Sequence, residues 1–295
     1  MADAMARQAA AQPIPQAASA RDYIAALVKA GDQDRYWSGL LMPSPARDHL
    51  FALYAFNIEL ARIGEQAREP QLAEIRLEWW REALASPGGA GIGNPVADAL
   101  TAARAAHDLP PDLLSGMIDA RMVDAQRLSL GAEEELRAYL IATAGAVFRL
   151  GAWIAGAKGD AAARASEEAA MAYGLTGLMR ALPYHRARGQ LYIPADFLGA
   201  FGIDPASVLR GEESASLRMA LGVLRARAHE HLAAFRQRAG ELSPATLPVF
   251  LPLALVPATL RRLAYPTHRP LLDVTQLNPL SRYARIWWRY LRGRV

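Results

Sequence analysis

The sequence predicts a single large all-α domain, and three observations carry that expectation. Ala, Leu, Arg and Glu, all good helix formers, dominate the chain. Runs of β-branched residues at period two are nearly absent. Gly and Pro gather in clusters that read as turns: Pro43–Pro45, Ser86–Pro95, Pro110–Pro111, Gly156–Gly159, Gly202–Pro205 and Tyr265–Pro270.

Between those clusters the spacing predicts helices near 20–31, 46–68, 71–85, 95–107, 111–128, 133–157, 162–184, 214–239, 246–263 and 280–292. Asp112 follows a Pro pair and is a candidate N-cap. Asp204-Pro205 places Pro in the first turn of a short helix. The Ala/Gln/Pro-rich residues 1–20 are expected to form a disordered tail, and 21–295 the domain. No 20–50-residue period repeats, which argues against a solenoid. No linker is long enough to split the chain.

The chain has 295 residues, 52% of them hydrophobic, so it can bury a sizeable core. Having no cysteine, it excludes a disulfide scaffold and Cys-ligated zinc or iron–sulfur. The net charge of +4 comes from 33 basic and 29 acidic residues mixed along the chain, and no nucleic-acid partner is expected. The most apolar stretch, 247–260, is short for a span and holds Pro248, Pro252 and Pro257; it reads as a buried helix. With no secretory signal in sight, a cytoplasmic protein is expected. The Ala/Arg-rich composition reads as bacterial.

Helix 46–68 carries Phe51, Leu53, Tyr54, Phe56, Ile58, Leu60 and Ile63, which point almost all round its axis. Helix 162–184 is similar, with Met171, Tyr173, Leu175, Leu178, Met179 and Leu182. Such helices belong in the middle of a bundle. They either pack directly or face each other across a central cavity.

Four pieces occur in order: Ala52-Leu53-Tyr54-Ala55-Phe56, Leu77-Glu78-Trp79-Trp80-Arg81-Glu82, Asn94-Pro95-Val96, and Arg188-Gly189-Gln190-Leu191-Tyr192-Ile193-Pro194. Through them the chain resembles the squalene/phytoene synthase family from about residue 34 to about 263. The resemblance implies an all-α bundle of the isoprenoid synthase type with a central cavity. It also implies two Asp-rich helix segments that hold magnesium against prenyl diphosphates. Carboxylates at i, i+3 and i+4 share a helix face, and two opposed faces seat Mg²⁺ on diphosphate oxygens. The metals then stabilise the departing diphosphate.

Here the sequence departs from that pattern. Laid on Tyr54-Ala55-Phe56, the first three acidic places fall on Ala61, Arg62 and Glu65. Laid on Tyr192-Ile193-Pro194, the second three fall on Ala181, Tyr184 and His185, beside a matching Arg180. Six carboxylates would carry −6; these six positions carry −1 from Glu65 and +1 from Arg62, hence 0 with His185 neutral. Of the neighbouring acids, Glu59 sits at the wrong angle from Glu65 for an i+3 or i+4 pair, and Asp119 and Asp124 lie five apart on another helix. The run Gly174–His185, ending Pro183-Tyr184-His185, is similar to a family branch that includes a mitochondrial assembly factor for respiratory complex I. So is Tyr283-Ala284-Arg285-Ile286-Trp287-Trp288-Arg289.

That resemblance implies a non-catalytic protein, with complex I subunits or assembly intermediates as partners and no cofactor. Two alternatives stay open. One is a working head-to-head prenyl diphosphate synthase, using Mg²⁺ in a divergent site on farnesyl or geranylgeranyl diphosphate. The other is an isoprenoid or lipid carrier. Arg62, Arg180 and Arg188 are candidates for a metal-free anion pocket, or they pair with Glu59, Glu65 or Asp196. Tyr54, Glu65, Tyr184, His185 and Tyr192 are candidates to line the cavity. Trp79 and Trp80 fit core packing at the bundle wall. The tail 282–292 mixes Arg and aromatic residues without an acid. It suits peripheral contact with an anionic inner membrane or docking back onto the bundle.

Overall fold

Ser19 accepts a hydrogen bond from the Asp22 amide and so starts the first helix, α1 (Ala20–Gly31). The computed structural model describes residues 19–66, 69–85, 93–126 and 129–295. The expected tail lies outside the described residues as far as residue 18, as do 86–92 of the expected Gly-rich loop.

Helices follow in order: α2 (Gln33–Gly39), α3 (Ala46–Gln66), α4 (Pro70–Ala85), α5 (Pro95–His107), α6 (Pro111–Ala125) and α7 (Glu133–Leu140). A π turn over Ile141–Gly145 joins α7 to α8 (Ala146–Ile154). Then come α9 (Asp160–Ala187), α10 (Ala195–Gly199), α11 (Pro205–Arg210) and α12 (Ala215–Ala239). Prolines break the apolar stretch Pro244–Leu263 into 3₁₀ and α pieces, of which α13 (Leu247–Phe250) and α14 (Val256–Leu263) are helical. The stretch is long and apolar enough to cross a membrane, yet most of it is buried in the bundle. The last helix is α15 (Pro279–Leu291). Among the described residues no strand occurs, as expected.

Helix α3 sits at the centre because both its sides are apolar: Leu50, Leu53, Tyr54, Phe56 and Leu60 are all buried. It packs on α1, α5, α6 and α8, while α9 packs along α12. Phe148, Phe235 and Phe250 stack at 5.0 and 5.5 Å between these layers.

Three expectations need correction. Asp112 does not cap α6: Pro110 holds the cap position, no side chain bonds there, and Asp112 lies in the first turn. The expected helix 133–157 is interrupted by the π turn. Helix α2 has no counterpart in the expectation. It buries Asp34, Arg35, Ser38 and Gly39, so no apolar period announces it.

Candidate functional site

The C-terminal halves of α3 and α9 meet the end of α6 around a cavity of about 100 Å³. Ala61, Glu65, Tyr184, His185, Arg188 and Tyr192 line it, so five of the eight candidate side chains are brought together. Arg121, Asp124 and Tyr139 line it as well. Gly64 permits the approach of α6, since a Cβ there would stand 2.9 Å from Asp124 Cβ.

At the far side, α9 runs through Pro183 and ends at Ala187. The amides of Arg188 and Gln190 both donate to the His185 carbonyl, and Gly189 takes a left-handed φ of 71°. That turn reverses the chain and carries Tyr192 back under the helix. His185 and Tyr192 then meet edge to face at 4.7 Å.

Asp124 is the centre of the site. Its buried carboxylate accepts from Tyr139 Oη at 2.9 Å, from Tyr192 Oη at 2.5 Å and from Arg121 Nη1 at 2.9 Å. Arg121 also donates to Tyr139 Oη and to Asn57 Oδ1 on α3, both at 3.3 Å. Burial opposes the Arg121 charge, but Tyr139 and Asp124 hold its pKa above the ordinary value. Burial, with Tyr139 and Asp124 adding to it, raises the Tyr192 hydroxyl, which stays a donor. His185 is pushed down to about 4, mainly by burial, and is neutral at pH 7. Glu65 stands at the rim; loss of solvent raises its carboxyl while Arg188 and Arg121 pull it back.

The three arginines do not assemble into an anion pocket. Arg188 Nη2 donates to the carbonyls of Gly64 at 3.2 Å and Glu65 at 2.5 Å, closing the C-terminal end of α3. Arg180 lies exposed, with its field on Asp34 and Tyr173. Arg62 lines a separate outer cleft with Glu59, Arg76, Trp79, Trp80 and Asn94. Asp119 also stays outside, 61% exposed and bonded to Arg81 at 2.5 Å. Tyr54 is deeper still. It belongs to a second cluster in which Arg35 lies 5.7 Å from the Tyr54 ring, 5.0 Å from Tyr173 and 2.9 Å from Asp32. The Tyr54 hydroxyl there has no hydrogen-bond partner.

Sequence reasoning missed Arg121 and Tyr139. An Arg and an Asp three apart on a helix read as a surface pair, and only the packing shows that they are buried. Among the described residues no three His, Asp or Glu side chains stand close enough to hold a metal ion.

The tail docks back onto the bundle. Ile286 is buried, Arg282 bonds Asp34 at 2.8 Å and Tyr283 meets Trp37 edge-on at 5.7 Å. Its other side leaves Leu280, Trp288 and Leu291 exposed.

Residues 28–283 match the squalene/phytoene synthase family. "NADH dehydrogenase (ubiquinone) complex I, assembly factor 6" of Mus musculus is 27% identical over 289 residues, covering 96% of this chain and 87% of that protein. Its human counterpart is 26% identical over 286 residues, covering 95% and 86%. A phytoene synthase of Thermus thermophilus is 30% identical over 201 residues, 65% of each chain. Among solved structures, squalene synthase HpnC from Alicyclobacillus acidocaldarius superposes with a TM-score of 0.72 at 23% identity, over 83% of this chain and 92% of that one. A dehydrosqualene synthase in complex with ligand reaches 0.77 at 15% identity, over 92% and 95%. These two likenesses carry the fold alone. With a family match over most of its length and this helical bundle, the chain belongs to the squalene/phytoene synthase family.

Proposed function

We propose that this chain is a non-catalytic member of its family that assists the assembly of respiratory complex I. One observation carries the reading. Of six places that hold carboxylates in the family pattern, only Glu65 keeps one. The acid that the fold does bring to the seat, Asp124, is already neutralised by Arg121. A carboxylate whose oxygens take three donors has little left for a divalent cation, and Arg121 adds a repelling charge. These residues do not suit Mg²⁺, and no step is derived through it.

Further support comes from size and from coverage. The cavity of about 100 Å³ is well below the roughly 300–1,000 Å³ of small-molecule sites, so it has no room for two prenyl chains. The mouse and human proteins named as complex I assembly factor 6 align over 96% and 95% of the chain, whereas the phytoene synthase aligns over 65% of it. Deleting the gene is expected to lower complex I content; normal content in a clean deletion contradicts the reading. Purified protein given Mg²⁺ and farnesyl diphosphate is expected to release no diphosphate above a blank.

The work site in this reading is the surface of the inner membrane. Helix α15 and the residues after it hold five arginines and no acid within 279–295, of which Arg282 bonds Asp34, and Leu280, Trp288 and Leu291 are exposed. Indole and guanidinium groups together suit anionic headgroups. Flotation with vesicles containing phosphatidylglycerol tests this. Trp288→Ala with Leu291→Ala is expected to lower the bound fraction several-fold, and unchanged binding would speak against it.

A further inference from the structure

Helix α15 is amphipathic about a different direction from the one in which the bundle lies. At about 100° per residue, its apolar side chains from Leu280 to Leu291 fall within an arc of about 200° centred on Trp287. Arg282, Arg285, Arg289 and Arg292 share the opposite arc of about 80°. The bundle uses only one edge between these sectors. Ile286 is the one buried residue of the helix, and Arg282 stands beside it on Asp34. The middle of the apolar arc points away: Trp287 and Leu291 are exposed, and Leu280 is 78% exposed. A helix shaped by its bundle alone would turn Trp287 inward.

The contacts on that edge are few. Arg282 Nε and Nη2 each stand 2.8 Å from one oxygen of the buried Asp34 on α2. The same guanidinium lies 5.7 Å from the Trp37 ring, and Tyr283 meets Trp37 edge-on. Past the helix, Val295 is buried and Arg236 of α12 donates to its carbonyl at 3.2 Å. The strap 264–278 that leads into α15 contains no helix. Its acid, Asp273, accepts from the Arg269 amide at 2.8 Å, and no other acid occurs between 264 and 295. Arg289 lies within the field of a further cation, Arg236.

We propose that α15 is a latch with two seats: it rests on α2 by its edge, and an anionic membrane surface draws it off by its full face. On the bundle the helix buries Ile286 and pairs one arginine. In the interface it buries the whole apolar arc at the acyl boundary and sets four arginines among headgroup phosphates. The Arg282–Asp34 pair opens in the exchange. Arg180 of α9, whose field already reaches Asp34, is the cation left to neutralise it. A second copy of this chain is the poorer occupant, since it brings the same arginines against these. The inference rests on the membrane contact proposed above and adds its switch: membrane binding is reported to α2 and to the Arg35 cluster behind it. By linkage, whatever loosens the docked seat strengthens membrane binding.

Two measurements test it. Because the chain has no cysteine, nitroxide labels go only where they are placed. Met219→Cys on α12 and Ala284→Cys on α15, both at exposed positions, carry them in the full chain. Pulsed electron paramagnetic resonance reads the distance between them. One distance is expected with phosphatidylcholine vesicles, and a second population with vesicles rich in phosphatidylglycerol. A single unchanged distance on vesicles that float the protein overturns the latch and leaves the membrane contact standing. Failure to float removes both. The second measurement weakens the docked seat without touching the membrane face. Asp34→Asn keeps the volume and drops the charge that holds Arg282. At limiting phosphatidylglycerol it is expected to raise the bound fraction about fivefold. Equal or lower binding by the folded variant overturns the latch, and the distance measurement decides the matter where that variant does not fold.

Discussion

The two buried arginine clusters are built from the same parts and solved differently. Each places one guanidinium beside an aspartate and two tyrosines. Around Arg121, every polar group is used: Tyr139 and Tyr192 both donate to Asp124, and Arg121 reaches across to Asn57 on α3. Around Arg35, aromatic faces do the holding. Tyr54, Phe148 and Tyr173 lie 5.7, 5.8 and 5.0 Å away, and the Tyr54 hydroxyl is left without a partner. The first cluster thus balances a resident cation against a resident anion. The second tolerates an orphan because cation–π attraction does not require each hydroxyl to be satisfied. The difference teaches that charge balance in the cavity between α3 and α9 is maintained from within the chain.

That contrast ranks the effects of substitution. Asp124→Ala strands Arg121 in the interior and is expected to cost about 3–5 kcal/mol, the cost of breaking a buried ion pair. Urea unfolding measures it, and a loss below about 1 kcal/mol would break the comparison. Arg35→Met takes the counter-charge from a largely buried Asp32 but leaves it the backbone amide of residue 35, and Met refills part of the aromatic box. About 2–3 kcal/mol is expected. Tyr54→Phe removes a hydroxyl that has no partner, so stability should change by less than about 0.5 kcal/mol or rise. Tyr192→Phe removes a donor from Asp124 and should cost about 1–3 kcal/mol.

The pH dependence sharpens the same contrast. The folded His185 pKa of about 4 lies below the ordinary imidazole value of 6.5. The unfolded chain therefore binds the proton first. Stability from neutral His185 is fully present above about 6.5 and is lost as the pH falls toward 4. Burial also lowers His107 and His268, which add to the same decline. The diagnostic is the difference between chains: His185→Gln should flatten the fall in urea midpoint between pH 6.5 and 4.

Much of the bundle was legible because helix periodicity and Gly/Pro punctuation agree. Helix α3 shows its central position through apolar residues on every side, and Asn94-Pro95 marks the start of α5 by its cap. Helix α2 stayed hidden because its buried residues are polar. The π turn at Ile141–Gly145 leaves no compositional mark. At the site, the family motifs laid on Tyr54 and Tyr192 single out Ala61, Glu65, Tyr184 and His185, and these four line one cavity. Residue types alone did not tell where the arginines point. Arg62 turns outward from α3, Arg180 stands toward Asp34, and Arg188 is spent on the helix end. Long flexible side chains are aimed by packing, which the one-dimensional pattern does not contain.

The central claim is that internal charge pairing has displaced the divalent-cation seat between α3 and α9. Calorimetric titration of Mg²⁺ into the full chain with saturating inorganic diphosphate tests it most directly. The account predicts no saturable heat. Stoichiometric binding of two or more Mg²⁺ per chain, abolished by Glu65→Ala, would contradict it.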